Sequence, residues 1–238
     1  MAVLHVVATA HGTDNPRGRE LVNGLRAQVA ALLAPGIGDF AQVVVHEAYV
    51  DVQEPALESV LAALPAGEAA VVAPLLLSHG FHTGVDIADA VAAREHTLAA
   101  APLGPHPLLI AQLADRLGAA GLEAGDAVVL AAAGTRIEAG QQQAREAAAA
   151  LAERLGRPVG TAFCSAAQPS VADAVAAARR DHPHARVAVA SYLLAPGFFQ
   201  NRVAQAGADF VTEPLLPGVT IAECVVARLA EVLTHFAT

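Results

Sequence analysis

The chain has no lysine. All 14 basic residues are arginine. Chemistry that needs a lysine is therefore excluded: Schiff-base catalysis, pyridoxal phosphate attachment and the phosphate-binding lysine of a P-loop. Tryptophan is absent, methionine occurs once, and the two cysteines are Cys164 and Cys224. Two cysteines cannot staple 238 residues into a disulfide scaffold or build a four-cysteine zinc site. Charged residues make up 16% of the chain, well below the roughly 25% of an average soluble domain. The formal net charge of −9 argues against non-specific binding to nucleic acid, which needs a basic surface. No segment reaches the ~18–20 apolar residues of a bilayer span. The longest apolar runs, such as Ala69–Leu77, are strand-sized, and Met1–Ala10 lacks the basic start of a secretory signal. The expected setting is the cytoplasm, with both cysteines reduced and no membrane partner.

What is abundant is apolar: 55% of residues, much of it alanine, which excludes a disordered chain. The length suits one large domain or two small ones at ~100–200 residues each. Short β-rich runs alternate with alanine-rich helical stretches. Val3–Thr9, Phe40–Tyr49 and Ala69–Leu77 read as strands, and Ala101–Leu103 as a short fourth. Between them Arg19–Leu33, Pro55–Leu64 and Asp86–Ala99 read as helices, with Leu108–Leu117 closing the first half and Pro55 suited to a first helical turn. Such alternation predicts parallel sheets covered by helices on both faces.

The second half repeats the first. Gly12-Thr13 returns as Gly134-Thr135. Glu47-Ala48-Tyr49 with Gln53-Glu54-Pro55 returns as Thr161-Ala162-Phe163 with Ala167-Gln168-Pro169. Gly80-Phe81 returns as Gly197-Phe198. Three echoes in order indicate an internal duplication, with halves 1–122 and 123–238. Structural residues should survive in both copies, whereas catalytic ones need survive in only one. Subtraction singles out His11, which becomes Ala133, Glu47, which becomes Thr161, and His82, which becomes Phe199. Each follows or ends a predicted parallel strand, where open α/β sheets bind their ligands. Two imidazoles and a carboxylate suit a first-row divalent cation, or proton transfer near neutral pH.

Thr9-Ala10-His11-Gly12-Thr13, Glu47-Ala48-Tyr49 with Gln53-Glu54-Pro55, and Gly80-Phe81-His82 with Asp86-Ile87 together resemble the CbiX-type sirohydrochlorin chelatases, relatives of ferrochelatase. The resemblance spans the chain, degenerate second half included. It implies two duplicated flavodoxin-like α/β halves facing a central cleft. It also implies insertion of Co²⁺ or Fe²⁺, with Ni²⁺ as a further candidate, into sirohydrochlorin for siroheme or cobalamin synthesis. The metal is then a substrate, and no organic cofactor or ATP is expected. The family's metal-binding histidines fall on His11 and His82 and its acidic partner on Glu47. Two departures stand out: Asp14 replaces an expected basic residue, and His79 adds an imidazole three residues before His82.

An acidic protein that binds a polycarboxylate tetrapyrrole must meet it with local arginines. Arg17 leads, with Arg136 and Arg202 near the matching loops of the second half. Gly12 and Gly80 allow close backbone approach, Phe81, Phe198 and Phe199 offer ring surface, and Asp14, Asp51, Asp86 and Asp89 would draw a cation. Cys164 reads as a small buried hydrophobe and His5 as structural. Two other readings use the same residues: a non-catalytic carrier of tetrapyrrole or metal, and a chelatase for another tetrapyrrole such as coproporphyrin. The duplication can supply two lobes within one molecule, so a monomer suffices.

Overall fold

A computed structural model describes residues 2–236, the side chains of His82 and Thr83 excepted. Eight strands and eight numbered helices alternate along the described chain. The first set is β1 (Val3–Ala10), α1 (Pro16–Leu33), β2 (Gln42–Tyr49), α2 (Leu57–Ala63), β3 (Ala69–Pro74), α3 (Ile87–Ala92), β4 (Thr97–Ala99) and α4 (Pro107–Ala119). The second is β5 (Ala127–Ala132), α5 (Glu138–Leu155), β6 (Val159–Phe163), α6 (Val171–Asp181), β7 (Val187–Tyr192), α7 (Phe198–Ala204), β8 (Phe210–Val211) and α8 (Val219–Leu233). The strands form two four-stranded sheets in the orders β2-β1-β3-β4 and β6-β5-β7-β8, parallel throughout. The α/β architecture expected from the alternation is present in both halves.

Order explains composition. β1 and β5 are central strands, so their side chains are buried on both faces and the sequence reads as an unbroken apolar run. In the first sheet Val7, Ala48, Ala70 and Val72 pack under Leu57 and Leu61 of α2 and Ile87 of α3. Val129, Ala162 and Val189 pack likewise under Val171 and Val175 of α6 in the second. Each fully buried Val, Leu or Ile contributes about 1.5–3 kcal/mol of transfer free energy. The chain runs from β1 outward to β2 and then back across to β3. The switch point therefore lies between β1 and β3, where a ligand crevice opens at the carboxyl ends.

Several expectations are corrected. Asp86–Ala99 is not one helix: a π-helical turn (His82–Asp86) leads into α3, and β4 follows at Thr97–Ala99, ahead of the expected strand at Ala101–Leu103. Pro55 lies before α2, where its carbonyl accepts from Tyr49 N (3.0 Å), and does not open the helix. The closing helices are exchanged. α4 packs on α5 and β7, so it belongs with the second sheet, whereas α8 packs on α1 and β3. The compact units are 1–103 with 218–238, and 104–217, so they divide the chain differently from the repeat boundary at 122/123. No described helix is long and apolar enough to cross a membrane.

Candidate functional site

The hydrogen bonding of the first sheet continues past its strands. Val50 N donates to Ala10 O and Asp51 N to His11 O (3.1 Å each), and Leu75 N donates to Thr9 O (2.8 Å). The loops after β1, β2 and β3 are thereby fixed side by side, with the β1 loop in the middle. Thr13 N donates to Gln53 Oε1 (2.9 Å), and Val52 N donates to Asp51 Oδ1 (2.8 Å). Gly12 takes a φ of +96°, and a Cβ there would lie 2.5 Å from Asp51 O. His11 and Asp51 are both exposed. After β3 the chain carries exposed His79 and then Gly80, whose carbonyl accepts from Gly84 N (3.0 Å). Phe81 is 60% exposed beside it. His82 opens the π-helical turn, and its side chain lies outside the described residues. Among the described residues no three His, Cys, Asp or Glu side chains group closely enough to hold a metal ion.

The same bonds recur in the second half: Cys164 N to Ala132 O (2.8 Å), Ser165 N to Ala133 O (3.0 Å) and Asn201 N to Gly197 O (3.1 Å). Gly134 has a φ of +94°, and Ala166 matches Val52 in its left-handed φ, at 61° against 56°. The halves therefore correspond position by position, His11 with Ala133 and Asp51 with Ser165. Asp51 is the residue that the subtraction of halves passed over. The offset that carries Glu47 to Thr161 also carries Asp51 to Ser165, so extending the comparison by four positions exposes a second lost carboxylate, the one bonded to the histidine loop.

Glu47 lies elsewhere. Its Cα pairs with Ala8, three residues before His11 and roughly 10 Å back along the strand at ~3.3 Å per residue. Its carboxylate faces α1, where it accepts from the Tyr49 hydroxyl and, at 3.4 Å, from Arg26 Nη1. Arg26 is 7% exposed. It donates to Ala8 O (3.0 Å), Ala48 O (3.1 Å) and Asn23 Oδ1 (2.7 Å), and its guanidinium stacks 4.7 Å from the Tyr49 ring centre. Burial, and then the bond to Glu47, hold the Tyr49 phenol above its usual range. In the second half the corresponding residues are Ala148, Phe163 and Thr161, so Arg26, Tyr49 and Glu47 disappear together. Glu47 thus differs between halves as one member of a polar cluster that ties α1 to β1 and β2.

Arg17 is ion-paired with Glu20 (2.6 Å) on the exposed face of α1. The arginine that touches the first loop is Arg19, through Thr13 O (2.6 Å) and Asp14 Oδ1 (3.1 Å). A basic group therefore does stand at this turn, supplied from the helix. Arg136 and Arg202 are exposed, and the Arg202 guanidinium lies 5.8 Å over the Phe198 ring. Phe199 packs against the second core. Cys164 is buried in that core, and burial pushes its thiol up to about 11, so it stays protonated at neutral pH.

His5 is buried, as a structural residue should be. Its Nδ1 lies 2.8 Å from His46 Nε2, and its Nε2 donates to Glu68 Oε2 at 2.5 Å. Burial, and then the neighbouring His5, lower the His46 pKa below its usual 6.5. The folded protein binds that proton less readily than the unfolded chain. The stability involved is whole above pH 6.5 and is lost as pH falls from there toward the lowered folded value. The Tm should drop as pH is taken from about 7.5 to about 5.5, and His46→Gln should flatten the slope. Thermal unfolding at several pH values checks this, and an unchanged slope in the variant would remove His46 as its source.

The sequence pattern of the CbiX family matches twice, over residues 5–120 and 127–232. No curated protein matches the chain by sequence. Among solved structures, SirB from Bacillus subtilis with Fe³⁺ is similar at a TM-score of 0.80 and 16% identity, covering 100% of this chain and 98% of that one. The sirohydrochlorin chelatase SirB from Bacillus subtilis subspecies spizizenii in complex with cobalt is similar at 0.72 and 16% identity, over 99% and 98%. DR2241 from Deinococcus radiodurans, described as multi-domain with structural similarity to chelatases, gives 0.70 and 20% identity over 97% of this chain and 55% of its own.

Proposed function

Because the chain belongs to the CbiX family over both of its halves, we propose that it is a metal chelatase that inserts Co²⁺ or Fe²⁺ into sirohydrochlorin, acting in the cytoplasm. The observation that carries the reading is the pairing of His11 with Asp51 at the carboxyl ends of β1 and β2, locked by backbone bonds and replaced by Ala133 and Ser165 in the second half. Imidazole nitrogen with carboxylate oxygen suits the first-row divalent ions. His82, or His79 three residues before it, supplies the second imidazole from the loop after β3. Glu47 contributes through Arg26 rather than by ligation. Phe81 and Val52, both exposed at this edge, offer apolar surface to a flat macrocycle.

Two pyrrolic N–H protons must leave as M²⁺ enters, so free-base macrocycle and M²⁺ become metallated macrocycle and two H⁺. Neutral imidazoles hold the ion on arrival and accept the protons once it has passed to the ring nitrogens, and Asp51 supplies negative charge that lowers the cost of a dication at the loop. Both roles require unprotonated histidine, so the rate falls on acidification.

The test is an anaerobic absorbance time course of sirohydrochlorin with Co²⁺. Wild type should convert the free-base spectrum to the metallated one faster than buffer, and His11→Ala/His82→Ala should fall to the uncatalysed rate. Binding of the tetrapyrrole without faster metallation would instead make the protein a carrier. Metallation of coproporphyrin in preference to sirohydrochlorin would change the substrate.

A further inference from the structure

The carboxyl-end edge of the second sheet copies that of the first with its charge reversed. At the turn after the first strand of each half the same bond forms, Asn15 N to Thr13 Oγ1 (3.2 Å) and Ile137 N to Thr135 Oγ1 (3.1 Å). The residue in between occupies one place in both, and it is Asp14 in the first half and Arg136 in the second. The turn carbonyl is held from the following helix in both halves too. Arg19 Nε holds Thr13 O (2.6 Å), and the neutral Gln141 Nε2 holds Thr135 O (3.0 Å). In the loops after the second strands, Asp51 and Glu54 give way to Ser165 and Gln168. In the segments after the third strands, Gly84 N to Gly80 O and Asn201 N to Gly197 O set the register, and Val85, Asp86 and Asp89 become Arg202, Val203 and Ala206. Carboxylates do remain on this side of the second sheet. Glu138 is ion-paired with Arg145, Asp173 is bonded to the helix-capping Ser170, and Glu213 lies beyond the edge strand β8.

Exposed aromatic surface is common to both edges. Phe81 is 60% exposed and its counterpart Phe198 71%. Only at Phe198 does a guanidinium stand by the ring, that of Arg202. A flat apolar face with a fork of N–H donors beside it matches an aromatic ring that bears carboxylates.

A chelatase has two substrates of opposite charge. Carboxylates that concentrate a dication repel a polyanion, and arginines that hold the polyanion repel the dication. Building both into one edge would weaken both. We propose that the duplication resolves this conflict by division. The strand-end edge of the second half is the subsite for the tetrapyrrole's peripheral carboxylates, received by Arg136 and Arg202 with Phe198 against the ring, and the edge of the first half serves the cation. The proposal rests on the chelatase reading and names where its anionic substrate is gripped.

The variants follow from the duplication: Arg136→Asp and Arg202→Val install the residues that the first half carries at the same places. Both positions are exposed, so folding is preserved, and circular dichroism verifies it. Free-base sirohydrochlorin is titrated without metal, by quenching of its own fluorescence, and KM for tetrapyrrole and for Co²⁺ are measured separately. Each variant should weaken tetrapyrrole binding about tenfold at low ionic strength, with kcat and the Co²⁺ KM within about twofold of wild type. The deficit should shrink as NaCl is added, because screening weakens the wild-type contact. Arg136→Lys and Arg202→Lys should recover part of the affinity, since charge returns without the bidentate fork. If wild type metallates sirohydrochlorin and both charge variants bind it as tightly as wild type, the subsite is wrong and the chelatase reading stands. If wild type neither binds nor metallates it, both are wrong.

Discussion

Asp51→Asn should lower the rate of metal insertion by at least about 100-fold, the upper range seen when groups that orient or complete a metal shell are removed. The substitution isolates charge. Asparagine keeps an oxygen to accept the Val52 N–H, so the turn that places His11 beside this residue keeps its bonds. What disappears is the negative charge and the second oxygen available to a cation. Its partner experiment is Glu47→Thr, which installs the residue of the second half. Here the insertion rate should stay within about threefold of wild type, while the Tm falls about 2–4 °C as the Tyr49 hydroxyl loses its acceptor. Rates with Co²⁺ and an isothermal titration of Co²⁺ binding check both. The reverse pattern, with Glu47→Thr inactive and Asp51→Asn active, would return the carboxylate role to Glu47.

Gly12→Ala is expected to be the most damaging single-methyl change in the first unit. The φ of +96° is costly for any residue with a Cβ, about 1–2 kcal/mol on backbone grounds alone. The added carbon would also lie 2.5 Å from the Asp51 carbonyl oxygen, a backbone atom with no freedom to swing away. Relief requires moving His11 away from Asp51, so stability and function fail together. The loss should exceed about 3 kcal/mol, and the Tm should fall by about 6–12 °C. Gly134→Ala is the control. Its φ is +94° and its Cβ would overlap the Ser165 carbonyl, so the Tm should fall comparably while Co²⁺ affinity is kept. Thermal unfolding and Co²⁺ titration of the two variants decide the matter. An unchanged Tm for Gly12→Ala would mean that the β1 loop is not held as described.

The helices and central strands were legible because their signals are local. A strand buried on both faces must be apolar throughout, so Val3–Thr9 announces itself. Asn15 followed by Pro16 marks the start of α1 through a side chain that accepts from Gly18 N (2.9 Å). Legibility failed where a tertiary bond overrides a weak local preference. Alanine-rich Asp86–Ala99 reads as one helix, yet His96 turns with a φ of 54° and the backbone from Ala70 N to His96 O (2.9 Å) recruits Thr97–Ala99 as an edge strand. Three residues of edge strand carry too little pattern to outweigh the surrounding alanines.

The candidate site divides along the same line. The sequence alone determined that two halves descend from one plan, that His11 and His82 have no counterparts in the second, and that His11 follows a buried parallel strand. These conclusions need only order and composition, because a parallel sheet sends every strand's carboxyl end to the same edge. Tertiary structure alone decided which carboxylate stands by His11, because Glu47 and Asp51 are four positions apart on one strand and its continuation. One turns under α1 to Arg26, and the other extends past the sheet, where its amide meets the His11 carbonyl. Tertiary structure likewise decided which helix closes which sheet. The apolar faces of α4 and α8 are equally suited to burial, and chain order carries no information about which of two similar sheets will cover them.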